Sequence, residues 1–430
     1  MKKYKTLVFL FIFLIVFYGL NNAQDVRLNT GTEMGDSVFP SMDMNTSGVV
    51  VACWANYDFD TNEGQGSIIY VPKNGLTDET PFNLVDPSWG NFQVSPDVAL
   101  NENGHFLVVW DENPEEGDAI YGRMFYKNKS PKADPFLIYE SQSGERVGSP
   151  RVALSLSGDF AVCWFVSKGG FSREIYVRLY NQDGSAKGDR MQVNDDTTGF
   201  QNSPMIAMNS TGNFVIAWID ERNGLPDVYA QRYDENGLAL GDNFEVSLHP
   251  DQTEHLHRPS IAVQENGDFM ITWVYVDEAN DWHVYASLFD KEGLPKTSMT
   301  IVDNTADTDS HHYSTVISNP QGGYIIAWSR SYCIGDDRYY TVYARDYNDE
   351  GSALDDTYRV GEEGVPYQER PSVGMDAAGN KVFLWEDNRD GDRANIYATA
   401  HPARKPPLVS VGTGFQGVIP ISWSPPYGSD

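Results

Sequence analysis

A tryptophan recurs every 54 to 57 residues along most of this 430-residue chain. The seven tryptophans are Trp54, Trp110, Trp164, Trp218, Trp273, Trp328 and Trp385. A glycine stands six residues before each: Gly48, Gly104, Gly158, Gly212, Gly267, Gly322 and Gly379. A proline stands 14 residues before each except the sixth, which has Ser314: Pro40, Pro96, Pro150, Pro204, Pro259 and Pro371. Three columns in register over seven copies indicate a repeat architecture, in which each copy is one supersecondary unit.

The repeated unit has the pattern of short antiparallel strands, and its clearest copy runs from residue 204 to residue 246. Apolar residues alternate with others on both sides of a tight glycine turn, which predicts a two-stranded hairpin. A third strand is expected at Asp227–Tyr233, and a second turn leads to a short outer strand at residues 244–246. Seven copies of four antiparallel strands predict an all-β fold, a seven-bladed β-propeller whose tryptophans fill the wedges between blades.

The first residues of the repeat region predict how the ring closes. Residues 26–29, Val-Arg-Leu-Asn, match the outer-strand segment of other copies, such as residues 191–194. The seventh copy runs past Tyr397 into a proline-rich stretch and lacks an outer strand of its own. We therefore expect the N-terminal strand to complete the last blade, which would remove free sheet edges.

Both ends of the chain depart from the repeat. Lys2, Lys3 and Lys5 precede an apolar run from residue 7 to residue 20, which predicts a signal peptide at residues 1–23; an uncleaved anchor is the alternative. The propeller is then expected at residues 24–405. Residues 406–430 resemble the opening strands of a fibronectin type III domain. A secreted or cell-surface location follows from the predicted signal.

Charge and cysteine content limit the partners. The formal net charge is −30, and loss of the three signal lysines makes it about −33. Nucleic acid and anionic membranes are therefore poor partners, although cations could bind. Cys53 and Cys163 share a column that is expected to be buried, whereas Cys333 is expected in a loop. This predicts three free thiols and no disulfide framework. The propeller is expected to be monomeric.

The unit resembles propeller-type repeats of large secreted and surface proteins of bacteria. The resemblance rests on the phrase DVYAQRYD-x-x-G, which begins at Asp227 and ends at Gly237, followed by a strand of G-x-x-F-x-V type. It covers about residues 24 to 400. Such proteins commonly carry fibronectin-type modules as well, so the resemblance implies adhesion or ligand display. A shared fold does not by itself settle function.

The expected binding face is the one that carries the blade-to-blade loops, because variable loops on a rigid scaffold usually carry binding. Candidate histidines there are His255, His257, His311 and His312. His257 and His312 each stand two residues before an expected inner strand, so a transition metal between blades is one hypothesis and exposed loop histidines are the other. Loop aromatics that suit sugar rings are Trp89, Phe92, Phe171, Phe200, Trp282 and Tyr332. Packing within the loops is the alternative for these rings.

A calcium loop is a further hypothesis. Asp58, Asp60 and Asn62 have the spacing of a calcium-binding loop, but the expected glycine comes one residue late and the acidic twelfth position is missing. Solvated hairpin acids are the alternative interpretation. Calcium is the cofactor that this spacing suggests. Asp43 also stands out, because it occupies a column of small residues on the inner strands and could face the central channel.

No catalytic motif occurs in the chain. Nucleophile-elbow, zinc-protease and phosphate-loop patterns are absent, as are the Ser-x-Asp-x-Gly-x-Thr-Trp boxes of sialidase-type propellers. The sequence therefore favours a non-catalytic module that binds a glycan or a protein, with Trp89, Phe200, Trp282, His257 and His312 as candidate ligand-binding residues. A glycan-cleaving enzyme that uses loop carboxylates, and a structural spacer, are the alternatives.

Overall fold

The computed structural model of the chain describes most of the repeat region. The described residues are 25–29, 35–58, 63–71, 80–85, 93–112, 118–169, 172–247, 256–276, 282–297, 299–302, 310–335, 337–391, 393–403, 409–411 and 421–423. All regular structure in this part of the chain is β-strand. None of it contains a helix that is long and apolar enough to span a membrane.

Seven sheets of four antiparallel strands form the ring. The innermost strands are β2 (Asp36–Met44), β6 (Gln93–Leu100), β10 (Arg146–Leu154), β14 (Gln201–Met208), β18 (Leu256–Val263), β22 (Ser310–Ser318) and β26 (Gln368–Met375). The second strands are β3 (Val50–Asp58), β7 (Phe106–Glu112), β11 (Phe160–Ser167), β15 (Phe214–Asp220), β19 (Phe269–Val276), β23 (Tyr324–Ile334) and β27 (Lys381–Asp387). The third strands are β4 (Glu63–Val71), β8 (Ala119–Phe125), β12 (Arg173–Tyr180), β16 (Asp227–Tyr233), β20 (Trp282–Phe289), β24 (Asp337–Tyr347) and β28 (Asn395–His401). The outer strands are β5 (Phe82–Asn83), β9 (Phe136–Glu140), β13 (Met191–Gln192), β17 (Phe244–Glu245), β21 (Thr300–Ile301), β25 (Tyr358–Arg359) and, for the seventh blade, β1 (Val26–Arg27).

The N-terminal strand closes the ring, as the sequence predicted. β1 pairs antiparallel with β28, with Val26 opposite Ala398. The backbone N–H of Leu28 donates to the carbonyl of Ile396 at 2.7 Å, and the Leu28 side chain is 4% exposed. The amide of Asn29 donates to the hydroxyl of Ser37 at 2.8 Å, which ties the closing segment to the first strand of the first blade. The first and last blades are therefore joined through the core as well as through backbone hydrogen bonds.

The tryptophans lie between blades. Each of the seven is at most 1% exposed. Trp164 of the third blade packs on Val109 and Ile120 of the second, and Trp54 of the first packs on Leu384 and Ile396 of the seventh. The other five tryptophans pack on the preceding blade in the same way. A four-stranded sheet leaves both of its faces to be buried, and the indole fills the space that opens between two splayed sheets.

The glycine column forms the turns between the first and second strands. In the fourth blade Gly212 has a φ of +98°, and a Cβ added there would lie 3.0 Å from the Cβ of Glu235. The backbone therefore requires a residue without a side chain. These turns also link neighbouring blades: the backbone N–H of Leu156 donates to Ser210, and that of Ala377 donates to Thr46.

Several residues that the sequence placed in loops lie in strands instead. β23 and β24 form a hairpin of two 11-residue strands, which contains Cys333 opposite Arg338. Cys333 is a free, exposed thiol, but its loop assignment was wrong because this hairpin extends beyond those of the other blades. Trp282 begins β20, and His312 belongs to β22. Val409–Val411 pairs antiparallel with Ile421–Trp423 in a two-stranded sheet, and the assignment of this segment to a fibronectin type III domain stays a prediction.

Candidate functional site

Every inner strand is interrupted by a bulge at the proline column. In β10, for example, Gly148 pairs with Phe165 and Arg151 pairs with Cys163, which leaves residues 149 and 150 without partners in the ladder. Six residues directly before this column have positive φ values of 47° to 57°: Phe39, Ser95, Ser149, Ser203, Tyr313 and Arg370. Side chains rarely adopt such a backbone conformation, and a residue before proline normally prefers extended backbone. Bulges change the direction of side chains, and here they change it in the same place in each blade.

The bulge residues and their neighbours line a cavity of about 470 Å³ on the axis of the propeller. Every blade contributes to its wall: Phe39, Asp97, Arg151, Ser203, Arg258, Tyr313 and Arg370. The bulges lie nearer the first residue of each inner strand than its glycine turn. The cavity is therefore nearer the end of the propeller that carries the blade-to-blade loops, which is the face expected to bind.

Arg370 is neutralised and held in place by its surroundings. Its Nη1 donates to Oε2 of Glu386 at 2.7 Å, and its guanidinium carbon lies 4.9 Å from the ring centre of Tyr313 and 5.2 Å from that of Phe39. Burial opposes the charge of Arg370, yet Glu386 holds its pKa above the ordinary value. Burial raises the pKa of Glu386, and Arg370 offsets part of that effect.

Arg151 and Arg258 carry charge that no carboxylate neutralises by direct contact among the described residues. Arg151 is buried; its Nη1 donates to the carbonyl of Pro150 at 2.7 Å, and its Nε contacts the sulfur of Met205 at 3.3 Å. Arg258 forms neither a hydrogen bond nor an ion pair within the described part of the chain. The nearby charge of Arg151, followed by burial and the charge of Arg370, lowers the pKa of Arg258 to about 9. The cavity is thus locally positive in a protein whose net charge is −30.

Two carboxylates near the axis connect blades. Asp97 accepts the hydroxyl of Ser41 at 2.7 Å and the backbone N–H of Val152 at 2.8 Å, so it joins the first three blades. Asp43 accepts the backbone N–H of Leu100 at 2.7 Å. Burial raises the pKa of Asp43 to about 6. The place of Asp43 among small residues is therefore explained by a link between the first and second blades.

A second cavity of about 420 Å³ lies between the second and third blades. Its wall includes Asp111, Asp118, Phe165 and Arg173. Burial raises the pKa of Asp111 to about 7, although the backbone N–H of Ser149 donates to it and Arg151 lies nearby. Asp111 therefore connects this groove with the bulge of the third blade and with the positive charge on the axis.

The predicted ligand-binding residues lie in two separate places. The rings of Trp282 and His312 are 4.8 Å apart between the fifth and sixth blades, and His312 directly precedes the cavity residue Tyr313. Phe200 lies between the third and fourth blades, where the guanidinium of Arg173 is 5.5 Å from its ring centre. Trp89 lies outside the described residues. His257 belongs to β18 rather than preceding it, and its side chain is outside the described part.

The metal hypotheses receive no geometric support from the described residues. His311 is fully buried, and its Nδ1 accepts the indole N–H of Trp328 at 3.0 Å, so it belongs to the core. Within the described ranges no group of three or more His, Cys, Asp or Glu side chains is arranged to hold a metal ion. Of the calcium candidates, Asp58 ends β3, whereas Asp60 and Asn62 lie outside the described residues. The calcium loop stays a prediction.

The axial residues were not predicted from the sequence, because they belong neither to the constant columns nor to the variable loops. The position before the proline column reads Phe, Ser, Ser, Ser, Arg, Tyr, Arg over the seven copies. It varies strongly although both of its neighbours belong to a regular strand. A variable column inside a constant element is the signal that could have identified this site.

Comparisons with known proteins identify the fold but no family. No protein-family model matches the sequence, and no curated protein matches it. A protein of unknown function from Dyadobacter fermentans is similar in structure, with 12% identity, a TM-score of 0.51, and coverage of 89% of this chain and 98% of that one. An α-L-arabinanase of Penicillium chrysogenum complexed with arabinobiose has 13% identity, a TM-score of 0.50, and coverage of 89% and 98%. The sialidase NanB of Streptococcus pneumoniae, as a point mutant, has 9% identity, a TM-score of 0.50, and coverage of 90% and 72%. Likeness at such low identity shows the fold alone.

Proposed function

We propose that this protein is a secreted or cell-surface binding module that recognises a glycan in its axial cavity. The observation that carries the proposal is the cavity itself, to which all seven blades contribute a residue at a bulge. Strained backbone that recurs around one cavity is typical of functional sites. Its volume of about 470 Å³ falls within the ordinary range for small-ligand pockets.

The chemistry of the wall suits a sugar. Phe39 and Tyr313 offer aromatic faces for apolar stacking, whereas Ser203 and Asn202 offer hydrogen bonds to hydroxyl groups. A concave site on the axis favours a sugar chain end over a flat protein surface. The arabinanase and the sialidase are named for glycan substrates, which agrees with this proposal at the level of the fold.

A glycan-array screen of the purified protein tests the proposal, with Tyr313→Ala as the site variant. Tyr126→Ala is the matched control, because Tyr126 is a 44% exposed tyrosine in a turn away from the axis. We expect selective binding that Tyr313→Ala loses and Tyr126→Ala retains. Binding that survives Tyr313→Ala would place the site elsewhere. Absence of binding across the array would favour a protein partner or a structural spacer.

Glycan cleavage is the second candidate, and the raised pKa of Asp111 is the observation that favours it. A carboxyl group with a pKa of about 7 is protonated over the range in which a general acid must donate. Asp97, which lines the axial cavity rather than the groove of Asp111, would be the second carboxylate. We expect Asp111→Asn to abolish hydrolysis of a bound glycan while the sugar still binds. If the bound sugar is never cleaved by the unchanged protein, this second function is excluded for that sugar.

A further inference from the structure

Three guanidinium groups converge on the axial cavity from three different blades. Arg151 comes from the third blade, Arg258 from the fifth and Arg370 from the seventh, and all three line the same space. Residues about 110 positions apart in the chain are brought together only because the blades close into a ring. Arginine clusters of this kind recognise planar oxyanions through paired N–H donors.

Among the described residues, the wall of the cavity carries three arginines and one carboxylate, that of Asp97. Glu386 pairs with Arg370. Asp43 and Asp111 do not line this cavity. Within the part of the chain that the structure describes, Arg258 is the guanidinium without a hydrogen-bond or ion-pair partner, whereas Arg151 donates to a carbonyl and Arg370 donates to Glu386.

The position of Arg258 explains why a ligand would bind to it. Its side chain is exposed within the cavity. Arg151 and Arg370 repel its charge, and Asp97 offsets part of that repulsion. An anion placed between the three guanidinium groups would remove that repulsion and would supply the missing acceptors. The net charge of −30 already keeps the protein soluble, so solubility does not explain a positive cluster in the cavity.

We propose that the glycan recognised by the axial cavity is acidic, and that its carboxylate binds to Arg258 between Arg151 and Arg370. This inference rests on the proposed function, and it specifies the class of sugar. Tyr313 and Phe39 flank Arg370 and would contact the sugar ring to which the carboxylate is attached. The cation–π contacts with Arg370 hold both rings in place before a ligand binds, so the site is preorganised.

Titration calorimetry of the purified protein with matched sugars tests the inference. The probes are glucuronate and galacturonate, with glucose and galactose as neutral parents and galactose 6-sulfate as a non-carboxylate anion. We expect the uronates to bind about 10- to 100-fold more tightly than the neutral sugars, as a charge-assisted contact with an enclosed guanidinium predicts. The preference should fall when the salt concentration rises, although less than for an exposed pair. If the sulfated sugar is preferred over the uronates, the carboxylate assignment is wrong.

Three variants test whether Arg258 binds the carboxylate of the uronate. Arg258→Gln should remove the preference for uronates, and Arg258→Lys should retain only part of it because lysine lacks the paired donors. Arg178→Gln is the matched control, since Arg178 lies on the third strand of its blade, stacked on Tyr180 away from the axis. Arg258→Gln should not lower the melting temperature, because it removes a repelled charge, so loss of binding would not reflect unfolding.

The outcomes separate this inference from the function on which it rests. Uronates and neutral sugars that bind equally well, with both signals lost in Tyr313→Ala, would overturn the inference and leave glycan binding intact. Uronate binding that Arg258→Gln does not change would overturn it as well. If the unchanged protein binds neither class in any array format, the proposed function fails and the inference fails with it.

Discussion

The closing segment of the ring allows a quantitative prediction. Leu28 is 4% exposed and packs in one core cluster with Trp54, Leu384 and Ile396, which belong to the first and seventh blades. Truncation of such a leucine to alanine costs about 3 kcal/mol, within the range known for buried positions. The side chain of Asn29 hydrogen-bonds to Ser37 and to Asn395 within the core. Its loss would add about 2 kcal/mol, because the groups left behind are buried.

These free energies convert to small but measurable shifts in melting temperature. Roughly 380 residues at about 2.1 cal/mol/K each give an unfolding entropy of about 0.8 kcal/mol/K. Leu28→Ala should therefore lower the melting temperature by about 4 °C, and deletion of residues 24–29 should lower it by about 6 °C or more. Differential scanning calorimetry at one scan rate measures both changes. Leu238→Ala is the matched control, because Leu238 is 66% exposed and its truncation should leave the melting temperature unchanged.

A peptide of residues 24–30 added to the truncated chain provides the strongest form of this test. Anything that binds only the folded state stabilises it, so the peptide should raise the melting temperature of the truncated chain in a concentration-dependent way. A truncated chain that melts within 1 °C of the intact protein would refute the closure argument. The same conclusion would follow if Leu28→Ala and Leu238→Ala had equal effects.

Three further predictions follow from buried groups. Burial raises the pKa of Asp111 to about 7, so the folded state holds a proton that the unfolded chain releases near pH 4. The free energy of unfolding should therefore fall between pH 4 and pH 7, by as much as about 4 kcal/mol. Asp111→Asn should remove that fall, and equal pH slopes in urea titrations of the two proteins would contradict the assignment. Asp220 is fully buried and accepts the indole N–H of the fourth-blade tryptophan at 2.8 Å. Asp220→Ala should lower the free energy of unfolding, measured by chemical denaturation, by about 3 to 5 kcal/mol. A decrease of less than about 1 kcal/mol would be inconsistent with this contact. Burial raises the pKa of the Cys53 and Cys163 thiols, so a thiol reagent should label Cys333 alone in the native protein; rapid labelling of either buried thiol would show that the blades open.

The fold could be predicted from the sequence because the spacing of residues within each repeat indicates the structure of the repeated unit. A tryptophan, a glycine and a proline recur at fixed offsets, and each has one structural reason: a wedge between sheets, a turn with positive φ, and a bulge in the inner strand. The closing strand could also be predicted, since one copy lacked an outer strand and the N-terminal segment matched it. These features depend on neighbours within one unit, which spacing along the chain can show.

The site could not be predicted because it depends on residues from different units. Arg151, Arg258 and Arg370 meet only when the ring is closed, and no local pattern shows that they face the axis. The positive backbone angle at Arg370 and Tyr313 sets that direction, and residue type does not reveal it, because neither is a residue that favours such a backbone. Trp282 and His312 were selected as loop residues, and they prove to be strand residues in ring contact.

A crystal structure of the protein with the sugar that the array selects would show whether the axial cavity is the binding site. We expect the sugar to occupy the axial cavity, with its ring against Tyr313 and an oxyanion within about 3 Å of the Arg258 guanidinium. A sugar bound at the outer loops near Trp282, with only water in the axial cavity, would contradict it.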